Sequence, residues 1–320
     1  MADARKIVVA AVQVESKNGA IAENLAHAEP FVAQAAGRGA RLILLPEFLP
    51  TGYIFTTAIW DAAETADGPT VRWLRAQAVR HRAYIGASFL EAEGEDFYNT
   101  FVLAAPDGTD AGRVRKQTPA SFEAFFTRGG AGNHMIATDL GKVGVFICYE
   151  CMLGYTQRMW AVEMPDLALL PHAFPAIEPG PLFPAGAGAK WEAAFLAHPA
   201  RYAAAFGVPV LLTNHAGPWE TPLPGLPIVQ RSRFVGGTAV ADSDGKVLGQ
   251  LGSEEGVVVG EVTLDPARKQ RPEDVPAGRW GLPLPWAANM LRVSEAAGKI
   301  YYRLSGERKR RARAASGARD

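Results

Sequence analysis

With 320 residues and 48% of them hydrophobic, the chain has the length and apolar content for a large buried core, as one α/β domain or two smaller ones, which excludes a disordered protein. Thirty-three basic residues balance 33 acidic ones, so the overall charge gives no footing for nucleic acid or a strongly acidic partner. Two cysteines three positions apart make no disulfide framework and fit a reducing compartment.

The first six residues lead into the apolar stretch Ile7 to Val12, which Gln13 and Glu15 interrupt. No small-residue cleavage site follows, so this reads as a first core strand, Ile7–Val14, and not a secretion signal. No apolar run approaches the roughly 20 residues that span a bilayer. A soluble, cytoplasmic protein with no membrane partner is expected.

Asn24–Ala36 has helical spacing at Leu25, Ala28, Val32 and Ala35, and Gly37 and Gly39 stop it. Leu42–Leu45 reads as a fully buried strand, Thr70–Arg82 as a helix and Tyr84–Leu90 as the next strand. Thr100–Ala105 pairs with Gly112–Lys116 across Pro106-Asp107-Gly108. Met135–Thr138 and Val143–Cys148 are strands, a short helix lies around Gln157–Glu163, and Leu167–Leu170 is another buried strand. Trp191–Phe206 reads as one helix. Val208–Thr213, Phe234–Ala241, Val247–Leu251 and Val257–Val262 complete the strands. Mixed βα units and hairpins exclude a purely parallel sheet; two mixed sheets face to face with helices outside satisfy the pattern.

Two loops, Ala173–Ala189 and Gly217–Pro227, are rich in Pro, Gly and aromatics, as lids, pocket walls and variable surface loops all are. From Asp265 the alternation fades. Arg303 to Asp320 carries seven basic residues against two acidic ones and reads as a solvated, flexible tail. The predicted division is a domain over 6–265 and a C-terminal extension over 266–320.

Three strand ends carry chemistry. Cys148 closes Gly144-Val145-Phe146-Ile147, Glu47 follows Leu42-Ile43-Leu44-Leu45-Pro46, and Lys116 ends Arg113-Val114-Arg115. A free thiol has a pKa of about 8.5 and is a poor nucleophile until deprotonated. A carboxylate raised by burial can take that proton as the thiol attacks. Attack on an amide or nitrile carbon builds negative charge, which the Lys116 ammonium and the Tyr149 backbone N–H can stabilise; losing one such donor costs about 10²–10³ in rate. Glu123, seven residues after Lys116, can hold the lysine charged. Taken singly, Cys148 is more typically a buried structural cysteine, and Glu47 and Lys116 ordinary surface charges; Glu123 caps a helix or pairs on the surface equally well.

In these residues the chain resembles the nitrilase superfamily of carbon–nitrogen hydrolases. The resemblance runs from Ala10-Ala11-Val12-Gln13 through Asn24-Leu25, Gly39-Ala40 and Leu45-Pro46-Glu47. It continues in Gly52-Tyr53, Tyr98-Asn99, Arg115-Lys116, Cys148-Tyr149-Glu150, Arg158 and the segment from Phe234 to Thr238, covering roughly 6–265. It implies a four-layer αββα sandwich and a Glu-Lys-Cys triad with a second glutamate, which fall on Glu47, Lys116, Cys148 and Glu123. It further implies a cysteine thioester, no metal or organic cofactor, a small amide, carbamoyl or nitrile substrate, and a homo-oligomer. Glu150 and the Lys116-to-Glu123 spacing resemble the nitrile-hydrolysing branch, whereas Tyr149 stands where that branch has tryptophan. Gly154-Tyr155 replaces the usual Pro-Glu. Amide-type substrates are therefore expected, with nitriles as the alternative and acyl transfer sharing the same thioester.

Tyr53, Tyr149, His172, Phe174 and Trp219 are the candidates for lining the substrate pocket, with core or rim packing as the alternative. His172 and His215 each follow a strand, as structural histidines also do. Cys148-x-x-Cys151 also matches a dithiol redox motif, but Cys148 closes a strand where that motif opens a helix. It lacks two further ligands for a zinc site.

Overall fold

Alternation along the strands decides how they stack. The structure, a computed structural model, describes residues 4–178, 186–272, 277–281 and 288–317. Its strands are β1 (Arg5–Gln13), β2 (Leu42–Leu44), β3 (Tyr84–Glu93), β4 (Asp96–Ala104), β5 (Asp110–Arg115), β6 (Met135–Thr138) and β7 (Gly141–Val145). They continue with β8 (Leu167–Pro171), β9 (Val210–Thr213), β10 (Pro218–Pro222), β11 (Val229–Arg233), β12 (Ala239–Ala241), β13 (Val247–Gln250) and β14 (Gly256–Leu264). The helices are α1 (Ile21–Gly37), α2 (Pro69–His81), α3 (Gly154–Glu163), α4 (Ala187–Leu196), α5 (His198–Phe206), α6 (Ala288–Leu304) and α7 (Gly306–Ser316).

Two six-stranded mixed sheets form, in the orders β14-β1-β2-β3-β4-β5 and β13-β12-β9-β8-β7-β6. Ile7, Val9 and Ala11 of β1 and Leu44 of β2 meet Val143 and Val145 of β7 in one core between the sheets. The alternate residues Ala10, Val12 and Ile43 pack outward on Leu25, Ala28 and Val32 of α1 and on Val71, Leu74 and Ala78 of α2. Ala168, Leu170, Val210 and Leu212 pack outward from the second sheet onto Trp160 of α3 and Tyr202 and Phe206 of α5. The result is the predicted αββα sandwich. Each fully buried Val, Leu, Ile or Phe side chain contributes about 1.5–3 kcal/mol. Among the described residues no helix is long and apolar enough to cross a membrane.

Several elements differ from expectation. The helix predicted over Trp191–Phe206 is two, α4 and α5, because Pro199 lacks the N–H that would continue the ladder. The strand predicted over Phe234–Ala241 survives only as β12. Gly236 and Gly237 turn the chain with φ of 71° and 78°, and a Cβ on Gly236 would lie 2.1 Å from the Gly252 carbonyl oxygen. The loop Gly217–Pro227 contains β10, which pairs antiparallel with β11 from Pro218↔Arg233 to Pro222↔Val229. Of the other loop, 179–185 lies outside the described residues.

The predicted flexible tail is also corrected: Arg303 ends in α6, and 306–316 is helix α7, docked by its charges. Arg308 is buried and pairs with Asp96 at 2.6 Å. Arg311 pairs with Asp61 at 3.0 Å and donates to the Thr57 carbonyl at 2.9 Å. Arg313 pairs with Glu95. Residues 318–320 of that stretch lie outside the described residues. Helix α6 reaches the short 3-10 turn Ser121–Phe125, where Gly298 lets the backbones meet: a Cβ there would lie 2.8 Å from Ala124 and Phe125 backbone atoms. The Ser294 and Ser121 hydroxyls share a 2.7 Å hydrogen bond across this contact.

Candidate active site

The ends of β2, β5, β7 and β8 lie together, and each delivers one group to a single buried cluster. Glu47 follows β2 after Pro46, and Lys116 follows β5 directly. Lys116 Nζ donates to Glu47 Oε1 at 2.7 Å and to Glu123 Oε2 at 2.6 Å. Glu123 sits in the turn braced by α6, where its Oε2 also accepts the Ala120 N–H at 2.9 Å. The Ala173 N–H, just beyond β8, donates to Glu47 Oε2 at 2.9 Å. Cys148 lies beside this cluster, close enough for Glu47 and Lys116 to act on its thiol electrostatically. Glu47, Lys116 and Glu123 are all buried.

Cys148 does not end β7 as predicted. The strand stops at Val145, and Cys148 opens the 3-10 turn Cys148–Met152 with φ +53°. A side chain rarely adopts this left-handed conformation, and such strain gathers at functional sites. The Tyr149 N–H belongs to the first turn of that short helix, where donors have no intrahelical acceptor.

Glu150, next along the turn, is a buried clamp. Its Oε2 accepts the N–H of Ile147, the residue before Cys148, at 2.9 Å. Its Oε1 accepts the N–H of Gln117, the residue after Lys116, at 2.7 Å. The Tyr155 hydroxyl at 2.7 Å and His134 Nε2 at 3.1 Å complete its shell. One carboxylate thus ties the thiol's turn to the ammonium's strand. Burial would raise its pKa, but His134, Tyr155 and the Ile147 N–H together hold it below the ordinary value.

Burial opposes the charge on Lys116, yet Glu123 and Glu47 outweigh it and hold the ammonium well above its usual pKa. Burial raises Glu47, with Glu123 adding and Lys116 opposing. Burial and then Glu47 push the Cys148 thiol well up, partly offset by Lys116 and the Ala173 N–H. The resting site therefore holds a thiol beside a carboxylate of raised basicity and a fixed cation. That suits proton transfer during attack better than a standing thiolate.

Asn99 was not singled out among the site residues. From β4 its Nδ2 donates to Glu47 Oε1 at 2.8 Å and Glu123 Oε1 at 3.1 Å, bridging the two carboxylates. Those acceptors fix the amide's orientation. Its signal was the Tyr98-Asn99 pair, which the family resemblance includes without assigning it a role.

Tyr53, Tyr149, Phe174 and Trp219 line a cavity that reaches Cys148. His172 is a correction. Its ring is turned into the helix layer, edge-on to Phe195 at 5.1 Å between ring centres, with Nδ1 2.9 Å from the Leu170 carbonyl oxygen. Its backbone carbonyl instead accepts the Glu47 N–H at 3.3 Å. His215, 2.6 Å from the Glu47 carbonyl oxygen through Nε2, holds the same residue from the other side of its peptide. Cys151 packs with the α3 and α5 aromatics, and its thiol donates to the Phe146 carbonyl at 3.5 Å, whereas Cys148 belongs to the core between the sheets. Both are free thiols.

The family model described as carbon-nitrogen hydrolase matches residues 8–272. A citrullinase of Francisella tularensis is 34% identical over 177 residues, covering 52% of this chain and 61% of the relative. A nitrilase of Pyrococcus abyssi is 31% identical over 153 residues, covering 47% and 58%. The chain thus spans about three fifths of the length of these relatives. The crystal structure of a carbon-nitrogen hydrolase from Helicobacter pylori G27 superposes with a TM-score of 0.67 at 20% identity, covering 81% of this chain and 89% of that one. At that identity the likeness speaks for the fold.

Proposed function

The chain belongs to the carbon–nitrogen hydrolase family, and on that premise we propose that it is a thiol hydrolase of a small molecule's non-peptide carbon–nitrogen bond, amide or carbamoyl in type. The observation that carries the reading is the meeting of Glu47, Lys116 and Cys148, from the segments that follow three strands, around a strained thiol that lines a cavity. Glu47 takes the Cys148 proton as sulfur attacks the carbonyl carbon. Lys116 and the Tyr149 N–H stabilise the oxyanion. The C–N bond then breaks, the leaving nitrogen receives the proton from Glu47, and a thioester remains on Cys148. Glu47 next deprotonates water, which attacks the thioester; the acid departs and the thiol is restored. Asn99 and Glu123 keep Glu47 and Lys116 in register. A nitrile is the alternative substrate, in which the same attack gives a thioimidate.

Intact-protein mass spectrometry with a panel of amides, carbamoyl compounds and nitriles tests the reading. An acyl adduct on Cys148, absent in Cys148→Ala together with ammonia release, is expected, while Cys151→Ala remains active. Turnover retained by Cys148→Ala would sink the mechanism. Loss of turnover in Cys151→Ala, with its fold intact, would favour a dithiol cycle. We place the hydrolase domain at 6–265, supported by the C-terminal helices. Self-association is also proposed: α6 exposes Val293, Ile300 and Leu304, and α3 exposes Val162. A monodisperse monomer in light scattering across micromolar concentrations would count against it.

A further inference from the structure

Given the thiol-hydrolase reading, on which the choice of acyl group rests, the cavity in front of Cys148 selects what the sulfur can reach. Its volume is about 190 Å³. An apolar cavity of about 150 Å³ suffices for benzene, so the space fits one ring and a short chain. Tyr53, Phe55 and Trp219 form one aromatic group, with Tyr53 and Phe55 edge-to-face at 4.9 Å. The Trp219 indole is fixed by its N–H donated to the Tyr53 carbonyl at 2.8 Å. Phe174 and Trp191 form a second, their rings parallel to within 3° at 6.4 Å. These paired faces are preorganised for a flat apolar ring.

The charges exclude the alternatives. Among the described residues no Lys or Arg lines the cavity. Lys116 is buried and already engaged by two carboxylates. Among the described residues the formal charge on the wall is Glu178, exposed and accepting the Ser232 hydroxyl at 2.9 Å. A substrate carboxylate entering here would be desolvated among aromatic faces, with Glu178 as the charge on the wall facing it. A substrate ammonium would find one solvent-screened carboxylate in return for its lost hydration.

We infer that the substrate is a small, neutral amide or nitrile whose acyl group carries an apolar ring on a one- or two-carbon chain, and not the amide of an amino acid or dicarboxylic acid. Two readouts separate this choice from the chemistry. Calorimetry on Cys148→Ala measures binding alone, and the wild-type protein gives kcat/KM for ammonia release and the mass of the Cys148 adduct. The panel is phenylacetamide, hexanamide, succinamic acid, 4-aminobutanamide and acetamide. Phenylacetamide should exceed succinamic acid and 4-aminobutanamide by about 100-fold or more in both readouts. Trp191→Ala should lower kcat/KM for phenylacetamide by about tenfold or more, and by clearly more than it lowers that for acetamide. Equal or better binding or turnover of a charged amide overturns the inference, as does a phenylacetamide that does not bind. Selective binding without an adduct upholds the pocket's preference and overturns the nucleophile. An adduct from every amide without preference does the reverse.

Discussion

Lowering the pH from 7 to 5 favours the unfolded chain, in which three imidazoles that the fold keeps dry and neutral are free to take up protons. Burial lowers His172 to about 3. It lowers His198 to about 4, with Arg201 adding, and His215 to about 4. In the unfolded chain each titrates near 6.5. A depressed folded pKa gives stability that is present above 6.5 and lost as the pH falls towards the folded value. At pH 5 each group binds its proton in the unfolded state and not in the folded one, which costs about 2 kcal/mol, or about 6 kcal/mol for the three. Glu47 and Glu64, raised chiefly by burial, take up protons on folding and offset part of this. Against a usual stability of about 5–15 kcal/mol, the loss is large. Denaturant titrations read by tryptophan fluorescence at pH 7, 6 and 5 measure it. His198 isolates one share, because neither ring nitrogen has a partner and its ring lies between Phe195 and Tyr202. His198→Phe should reduce the stability lost between pH 7 and 5 by about 2 kcal/mol. Any packing change contributes equally at both pH values and cancels. The same pH dependence in variant and wild type would refute the reasoning.

Two further predictions concern the site. Because burial lifts Glu47 above the ordinary carboxylate value and the base works deprotonated, kcat/KM for a neutral amide should fall through an acid limb centred above pH 4.5. Circular dichroism at each pH separates that limb from unfolding, and a limb below 4.5 in folded protein would contradict the assignment. Glu150→Gln replaces an acceptor of two backbone N–H groups with a half-donor. It should cost about 1–3 kcal/mol in stability and lower kcat by about 10–100-fold with KM nearly unchanged; an unaltered kcat would show that the clamp does not position the thiol.

What could be read in the sequence follows from where its causes lie. Glu47, Lys116 and Cys148 stood out because each follows an apolar run, and burial at a strand end is a local property. The two-layer sandwich was readable because residues such as Ile7, Val9 and Ala11 alternate with others that pack outward. His172 was misread because the side to which a residue turns beyond a strand depends on the path after Pro171. Helix α7 was missed because it is polar nearly all round, and its anchors, Asp61, Glu95 and Asp96, lie more than two hundred positions earlier. Hairpin β10–β11 hid behind prolines at both ends of its first strand. Asn99 carries no charge, and its role exists only once β4 lies beside the Glu47 segment.

The nine-residue pairing of β1 with β14 joins the two ends of the hydrolase fold. Every strand of the second sheet lies between them in sequence, so that sheet can assemble while the first still waits for its far edge. Pairings between distant segments form late because their loop closure must be met first. Until the two sheets pack together, a refolding chain leaves the Cys148 turn without the cover supplied by Glu47 and Lys116. With Cys151 three positions away, that stage is open to oxidation and to a non-native disulfide. Recovery of active protein from denaturant should accordingly depend on thiol reductant, even though the finished fold keeps both sulfurs buried.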